Sequence, residues 1–114
     1  MGWIMIVDDD AEFCKYLDEE LSPYNFQVSS AYSGREALRI IEDCSPDIVL
    51  LDMFLKDMHG LDVLARIKKI NPDIVVIIIT GFAEYDDAVN SIKAGAYDYL
   101  PKPVELIKLV NTIK

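Results

Sequence analysis

Three consecutive aspartates, Asp8, Asp9 and Asp10, follow the apolar run of residues 3–7, and a single aspartate, Asp52, follows a second run, residues 48–51. A third run, residues 74–79, ends in Thr80-Gly81, and Tyr97-Asp98-Tyr99-Leu100 leads into Pro101-Lys102-Pro103. Carboxylates, a hydroxyl and an ammonium, each placed where an apolar run ends, form the donor set for a hard divalent cation and a phosphoryl group. Carboxylate oxygens are the ligands such cations take, and a lysine ammonium is a point charge suited to an oxyanion. Like charges about 4 Å apart interact by roughly 4 kcal/mol at an effective dielectric near 20. A cation therefore decides whether such an acidic site can accept a phosphoryl group.

The elements that must bring these residues together are legible from periodicity. Short, continuously apolar, β-branched runs are the pattern of parallel strands covered on both faces. Strands are expected at residues 3–7, 27–31, 47–51, 74–79 and 97–100, the second more alternating, as suits an edge. Helices are expected at 11–21, after Ser33 with an apolar stripe of Ala37, Leu38, Ile40 and Ile41, at 61–70 and at 85–93, with a fifth starting near Val104. Asp9 and Glu12 have capping-box spacing ahead of the first helix, and Ser33 and Glu36 ahead of the second. Ser22-Pro23, Asn71-Pro72-Asp73 and Ala94-Gly95 supply stops and turns. Five βα units joined by short loops imply an α/β, doubly wound, five-stranded parallel sheet of flavodoxin-like order 2-1-3-4-5. Its crevice lies beyond the carboxyl ends of strands 1 and 3, which puts Asp8, Asp9 and Asp52 on neighbouring strands.

Composition narrows the function classes. The 114 residues suit one domain, and 52% hydrophobic with 27% charged residues describes a globular chain. A formal charge of −9 argues against direct nucleic-acid contact, since phosphates would be repelled. No apolar stretch is long enough to span a bilayer, so membrane insertion is not expected. Cys14 and Cys44 have no metal-ligand spacing; both fall at apolar positions of helices and read as core residues in a reducing, cytoplasmic setting. The helical pattern of Leu106, Leu109, Val110 and Ile113 runs to the last residues, so residues 1–114 are expected to be one domain excised from a longer protein.

The series Ile6-Val7-Asp8-Asp9-Asp10, Leu51-Asp52-Met53, His59-Gly60, Thr80-Gly81 and Tyr99-Leu100-Pro101-Lys102-Pro103 resembles the receiver domain of two-component response regulators, over essentially the whole chain. The resemblance implies a phosphorylation-controlled switch. Asp52 would accept a phosphoryl group from a histidine kinase or phosphotransfer protein. Asp8, Asp9, Asp52 and the backbone carbonyl of Phe54 would hold Mg²⁺, while Thr80 and Lys102 would bind phosphoryl oxygens. Thr80 and Tyr99 would act as switch residues, reshaping the helix 4–strand 5–helix 5 face for an output domain in cis, a partner protein or a second copy. Such a domain is a phosphoacceptor with at most slow autodephosphorylation, not an enzyme in the usual sense. The Lys102–Pro103 bond is expected to be cis, as in the family. The Thr80-Gly81-Phe82-Ala83 and Tyr97–Pro103 segments resemble receivers attached to enhancer-binding activators or sensor-kinase hybrids, a link to transcription regulation.

Blander readings compete at each position. An acidic run is usually a helix cap in a solvated loop; Thr80 alone reads as a strand end, Lys102 as a surface lysine, Tyr99 as a strand residue with a wet hydroxyl. His59 reads as a solvated loop residue. Two other functions fit parts of the pattern: a phosphate-independent interaction module and an aspartyl-nucleophile phosphohydrolase. The intact set Asp8, Asp9, Asp52, Thr80, Lys102 weighs against the first. The second would need a general acid and a nucleophile after the first strand. The chain departs from the family in having Lys56 where proline is usual. Phe54 and Phe82 stand two residues after Asp52 and Thr80, both large and apolar beside the expected path of an attacking water.

Overall fold

The computed structural model of the chain describes residues 2–81 and 85–113, the side chains of 85 and 86 excepted. Strands β1 (Trp3–Val7), β2 (Gln27–Ala31), β3 (Ile48–Leu51), β4 (Val75–Thr80) and β5 (Asp98–Pro101) alternate with helices α1 (Ala11–Leu21), α2 (Gly34–Asp43), α3 (Gly60–Ile70), α4 (Tyr85–Lys93) and α5 (Leu106–Ile113). The strands form one sheet in the order β2-β1-β3-β4-β5, every pairing parallel. This is the expected architecture.

The continuous apolar runs have a simple cause. Successive strand side chains point to opposite faces, and both faces are covered. Met5, Val7, Val49, Leu51, Val76 and Ile78 pack with Leu38, Ile41, Val63, Leu64 and Ile67 of α2 and α3. Ile4, Ile6, Leu50, Ile77 and Ile79 pack on the other side with Cys14, Leu17 and Leu21 of α1 and Leu109 and Val110 of α5. β2 borders the sheet and is partly exposed, which accounts for its weaker pattern.

Local signals set the helix ends with some corrections. The α1 cap is Asp10, not Asp9: its carboxylate accepts the N–H groups of Glu12 and Phe13 at 3.1 and 3.2 Å. Asp9 is thereby left for other work. Ser33 caps α2 through the Glu36 N–H, and Glu36 reaches back to the Tyr32 N–H. Gly95, with φ +109°, closes α4. β5 lies one residue later than expected and α5 begins at Leu106, two residues after Val104. The Lys102–Pro103 bond is cis. Cys14 is buried, but Cys44 sits exposed just past α2 and is not a core residue.

Candidate functional site

Parallel register aligns Val7 of β1 with Leu51 of β3, so the residues that follow them leave the sheet side by side. The Asp52 N–H donates to the Val7 carbonyl at 2.9 Å, and the Asp8 N–H donates to the Ala31 carbonyl at 3.1 Å. One further ladder step on each side thus fixes the backbone from which the two carboxylates project. Thr80 aligns with Pro101, and the Lys102 N–H donates to the Thr80 carbonyl at 2.8 Å, which brings the lysine to the same edge.

A carboxylate oxygen from each of Asp8, Asp9 and Asp52 lies within 4.8 Å of the others. Trans oxygens around Mg²⁺ are roughly 4.2 Å apart and those around Ca²⁺ roughly 5 Å. The cluster has the donor type and the size for one divalent ion. Each carboxylate is steered by its neighbours. Asp8 accepts the Asp10 N–H at 2.9 Å through one oxygen and the Lys102 ammonium at 2.7 Å through the other. Asp9 accepts the Lys56 N–H at 3.1 Å, and Asp52 makes a long contact, 3.5 Å, with the Phe54 N–H. Asp8 and Asp52 are 2% and 8% exposed and Thr80 is buried, so the charges sit largely out of water.

The electrostatics reflect that crowding. Burial, then the Asp8 charge, pushes the Asp52 carboxyl above its ordinary value, with Lys102 opposing. Burial alone would lower Lys102, but its hydrogen bond and attraction to Asp8, then the Asp52 charge, outweigh this and raise it. The ammonium also lies 4.3 Å from the centre of the Phe13 ring, a favourable cation–π position. Burial and Asp8 push the Cys14 thiol up to about 11, so it stays protonated near neutrality.

Tyr99 is half-buried against the α2–α3 side of the sheet and aligns with Ile78 in β4. By register it shares a sheet face with Thr80. Phe54 is 40% exposed and its ring meets His59 edge-on, with centroids 5.5 Å apart. Phe82 lies outside the described residues.

Three contributors escaped the sequence reading. His59 is not merely a solvated loop residue: its Nδ1 accepts the Leu61 N–H at 3.1 Å and caps α3. Asp57 accepts the N–H groups of Gly34 and Arg35 at 2.9 and 3.0 Å, tying the loop after Asp52 to the start of α2. Gly60 touches the backbone of the candidate site. A Cβ there would sit 2.6 Å from the Met53 Cα and 2.9 Å from the Asp52 carbonyl oxygen. The Gly60 motif was visible in the chain, but the close approach that requires a glycine was not.

With this fold and edge in place, the chain belongs to the response regulator receiver domain family, whose model matches residues 4–114. It is 39% identical to the transcriptional regulatory protein ZraR of Salmonella typhimurium over 97% of its own length, and spans only 25% of that protein. It superposes on a CheY-like response regulator receiver domain protein from Methanospirillum hungatei with a TM-score of 0.94 and 33% identity, covering 99% of this chain and 90% of that one. A response regulator from Burkholderia pseudomallei, 25% identical, aligns with a TM-score of 0.93 over 100% of this chain and 67% of its own. That structure carries a phosphorylated aspartic acid, a calcium ion and citrate.

Proposed function

We propose that Asp52 is the phosphoacceptor, that Asp8, Asp9, Asp52 and the Phe54 carbonyl hold Mg²⁺, and that Thr80 and Lys102 take the phosphoryl oxygens. The observation that carries this is the three-carboxylate cluster with the Lys102 ammonium on Asp8. Mg²⁺, when bound, would supply positive charge that offsets the repulsion between the carboxylates and the incoming phosphoryl group. Asp52 attacks phosphorus, an aspartyl phosphate forms, and the P–N bond to the donor imidazole breaks, the proton remaining with the imidazole. Lys102 is paired with Asp8 in the resting site. Its four-carbon stem would let the ammonium pivot from Asp8 to the phosphoryl group, which adds about −1.5 to −2 charge. Thr80 then moves toward the new oxygens, and Tyr99, on the same sheet face, turns inward and reshapes the α4–β5–α5 surface. A full switch from 1:99 to 99:1 needs roughly 5.5 kcal/mol of differential stabilisation.

The donor is a histidine kinase or phosphotransfer protein in the cytoplasm. The output is an output domain in cis or a partner protein, with dimerisation of that surface as one route. The length of ZraR relative to this chain supports a further domain in the working protein. Labelling with acetyl phosphate tests the reading. The parent should take up one acid-stable, base-labile phosphoryl group per chain when Mg²⁺ is present, and Asp52→Asn should take up none. Undiminished label on Asp52→Asn removes Asp52 from the role.

A further inference from the structure

The chain has eleven basic residues, and its only three arginines are Arg35, Arg39 and Arg66. All three line one groove of about 360 Å³ between α2 and α3. Leu38 and Met58 provide apolar lining, and Asp57 and Glu42 are the groove's two acids. Asp57 is already committed. Burial would raise its carboxyl, but the Gly34 and Arg35 N–H groups outweigh that and hold it below the usual range. Among the described residues, none of the three guanidiniums makes an ion pair within 4.0 Å.

Helix energetics favour Arg66, four residues after Asp62 on α3, but do not explain Arg35. Arg35 stands at the second position of α2, where the dipole disfavours a cation. Arg35 and Arg39 are four apart, a spacing at which like charges repel. A solvated helix face would be served as well by lysine, yet every planar, bidentate donor in this acidic chain faces one groove. Guanidinium forks suit carboxylates and phosphates alike. The rest of the −9 charge separates the two. A nucleic-acid backbone must run past the groove over a repelling surface, whereas a short protein segment engages only the groove, and charges beyond about 8 Å are screened at physiological salt.

We infer that the α2–α3 groove is a docking site for an acidic segment of a partner protein, with carboxylates on Arg35, Arg39 and Arg66 and an intervening apolar side chain on Leu38 and Met58. The site is separate from the carboxylate cluster and does not depend on the phosphoacceptor reading.

The test uses fluorescence anisotropy with three fluorescein-labelled probes on the full chain: a hexapeptide of alternating Glu and Leu, its Gln–Leu counterpart, and a six-nucleotide single-stranded DNA. Saturable binding of the Glu peptide is expected, at least tenfold weaker for the Gln peptide and for the DNA, and weakened by added salt. Arg39→Gln and Arg66→Gln, both exposed positions whose melting curves check folding, should each weaken the Glu peptide at least tenfold. Equal binding of Glu and Gln peptides, tighter binding of the DNA, no saturable binding, or undiminished affinity in a folded Arg39→Gln/Arg66→Gln protein would each overturn the inference.

Discussion

Replacing Asp52 by Asn should make the metal-free protein more stable, and the size of the gain follows from the cluster. Carboxylate oxygens of Asp8, Asp9 and Asp52 lie within 4.8 Å of one another. At that distance a pair repels by about 3.5 kcal/mol at an effective dielectric near 20, and by about 0.9 kcal/mol in bulk water. Lys102, 2.7 Å from Asp8, offsets roughly one of the two repulsions felt by Asp52. One uncompensated pair remains, so Asp52→Asn should raise stability by about 1–3 kcal/mol. For a domain of this size that is a rise in Tm of roughly 4–12 °C. The sign with pH follows from the raised Asp52 carboxyl. Between the ordinary value of 3.8 and the higher folded value, the folded state holds the extra proton. Parent stability therefore falls as pH rises through that window, and the mutant has no such loss. The gap should be absent below pH 3.8, open above it, and level off beyond the folded pKa. Saturating Mg²⁺ should reverse the order, because the parent gains RT ln(1 + [L]/Kd) and the mutant, lacking one ligand charge, gains less. Scanning calorimetry of both proteins in EDTA and in Mg²⁺, at several pH values, measures all of this. A metal-free mutant no more stable than the parent at pH 7, or a gap that does not close on acidification, would refute the reasoning.

Gly60→Ala should destabilise the fold by about 3 kcal/mol, because the new methyl group overlaps backbone that has little room to shift; urea melts read this, and acetyl phosphate labelling of the folded fraction should slow as Asp52 is displaced. Phe54→Asn should shorten the lifetime of the aspartyl phosphate several-fold by offering an amide to orient the attacking water, while Phe54→Leu should not. Timing phosphoryl loss in Mg²⁺ buffer distinguishes them, and the same assay extends to Phe82→Glu.

The sheet was readable because β1, β3 and β4 are buried on both faces, a condition that forces uninterrupted apolar sequence. The placement of the candidate site residues was readable because they stand at the ends of those runs, so naming the strand ends named Asp8, Asp52 and Thr80. What stayed hidden depends on through-space contacts between distant segments. Asp9 and Asp10 are chemically identical in the chain, and only the α1 geometry makes Asp10 the cap and leaves Asp9 to face Asp52. Cys44 has the pattern of a core residue, yet α2 has ended and the chain has turned extended by that point. Asp57 and His59 cap helices from positions where propensity gives no sign of it, one in trans and one through a ring nitrogen.

The ties around Asp52 are unevenly distributed. Gly60 presses on its peptide, Lys56 is held by Asp9, and Asp57 grips the start of α2. The β1–β3 side with α2 and α3 is thus braced like a fixed frame. On the β4–β5 side, beyond the β3–β4 ladder, the side-chain tie to the carboxylate cluster is the Lys102 ammonium on Asp8, one flexible four-carbon arm. On the proposed reading, a charge added at Asp52 would meet most of these ties on the α2–α3 side, and displacement would be channelled toward α4 and β5. The two halves of the domain would then carry different kinds of information: the compliant half would report the chemical state, and the braced half, with its arginine groove, would present the same face in either state.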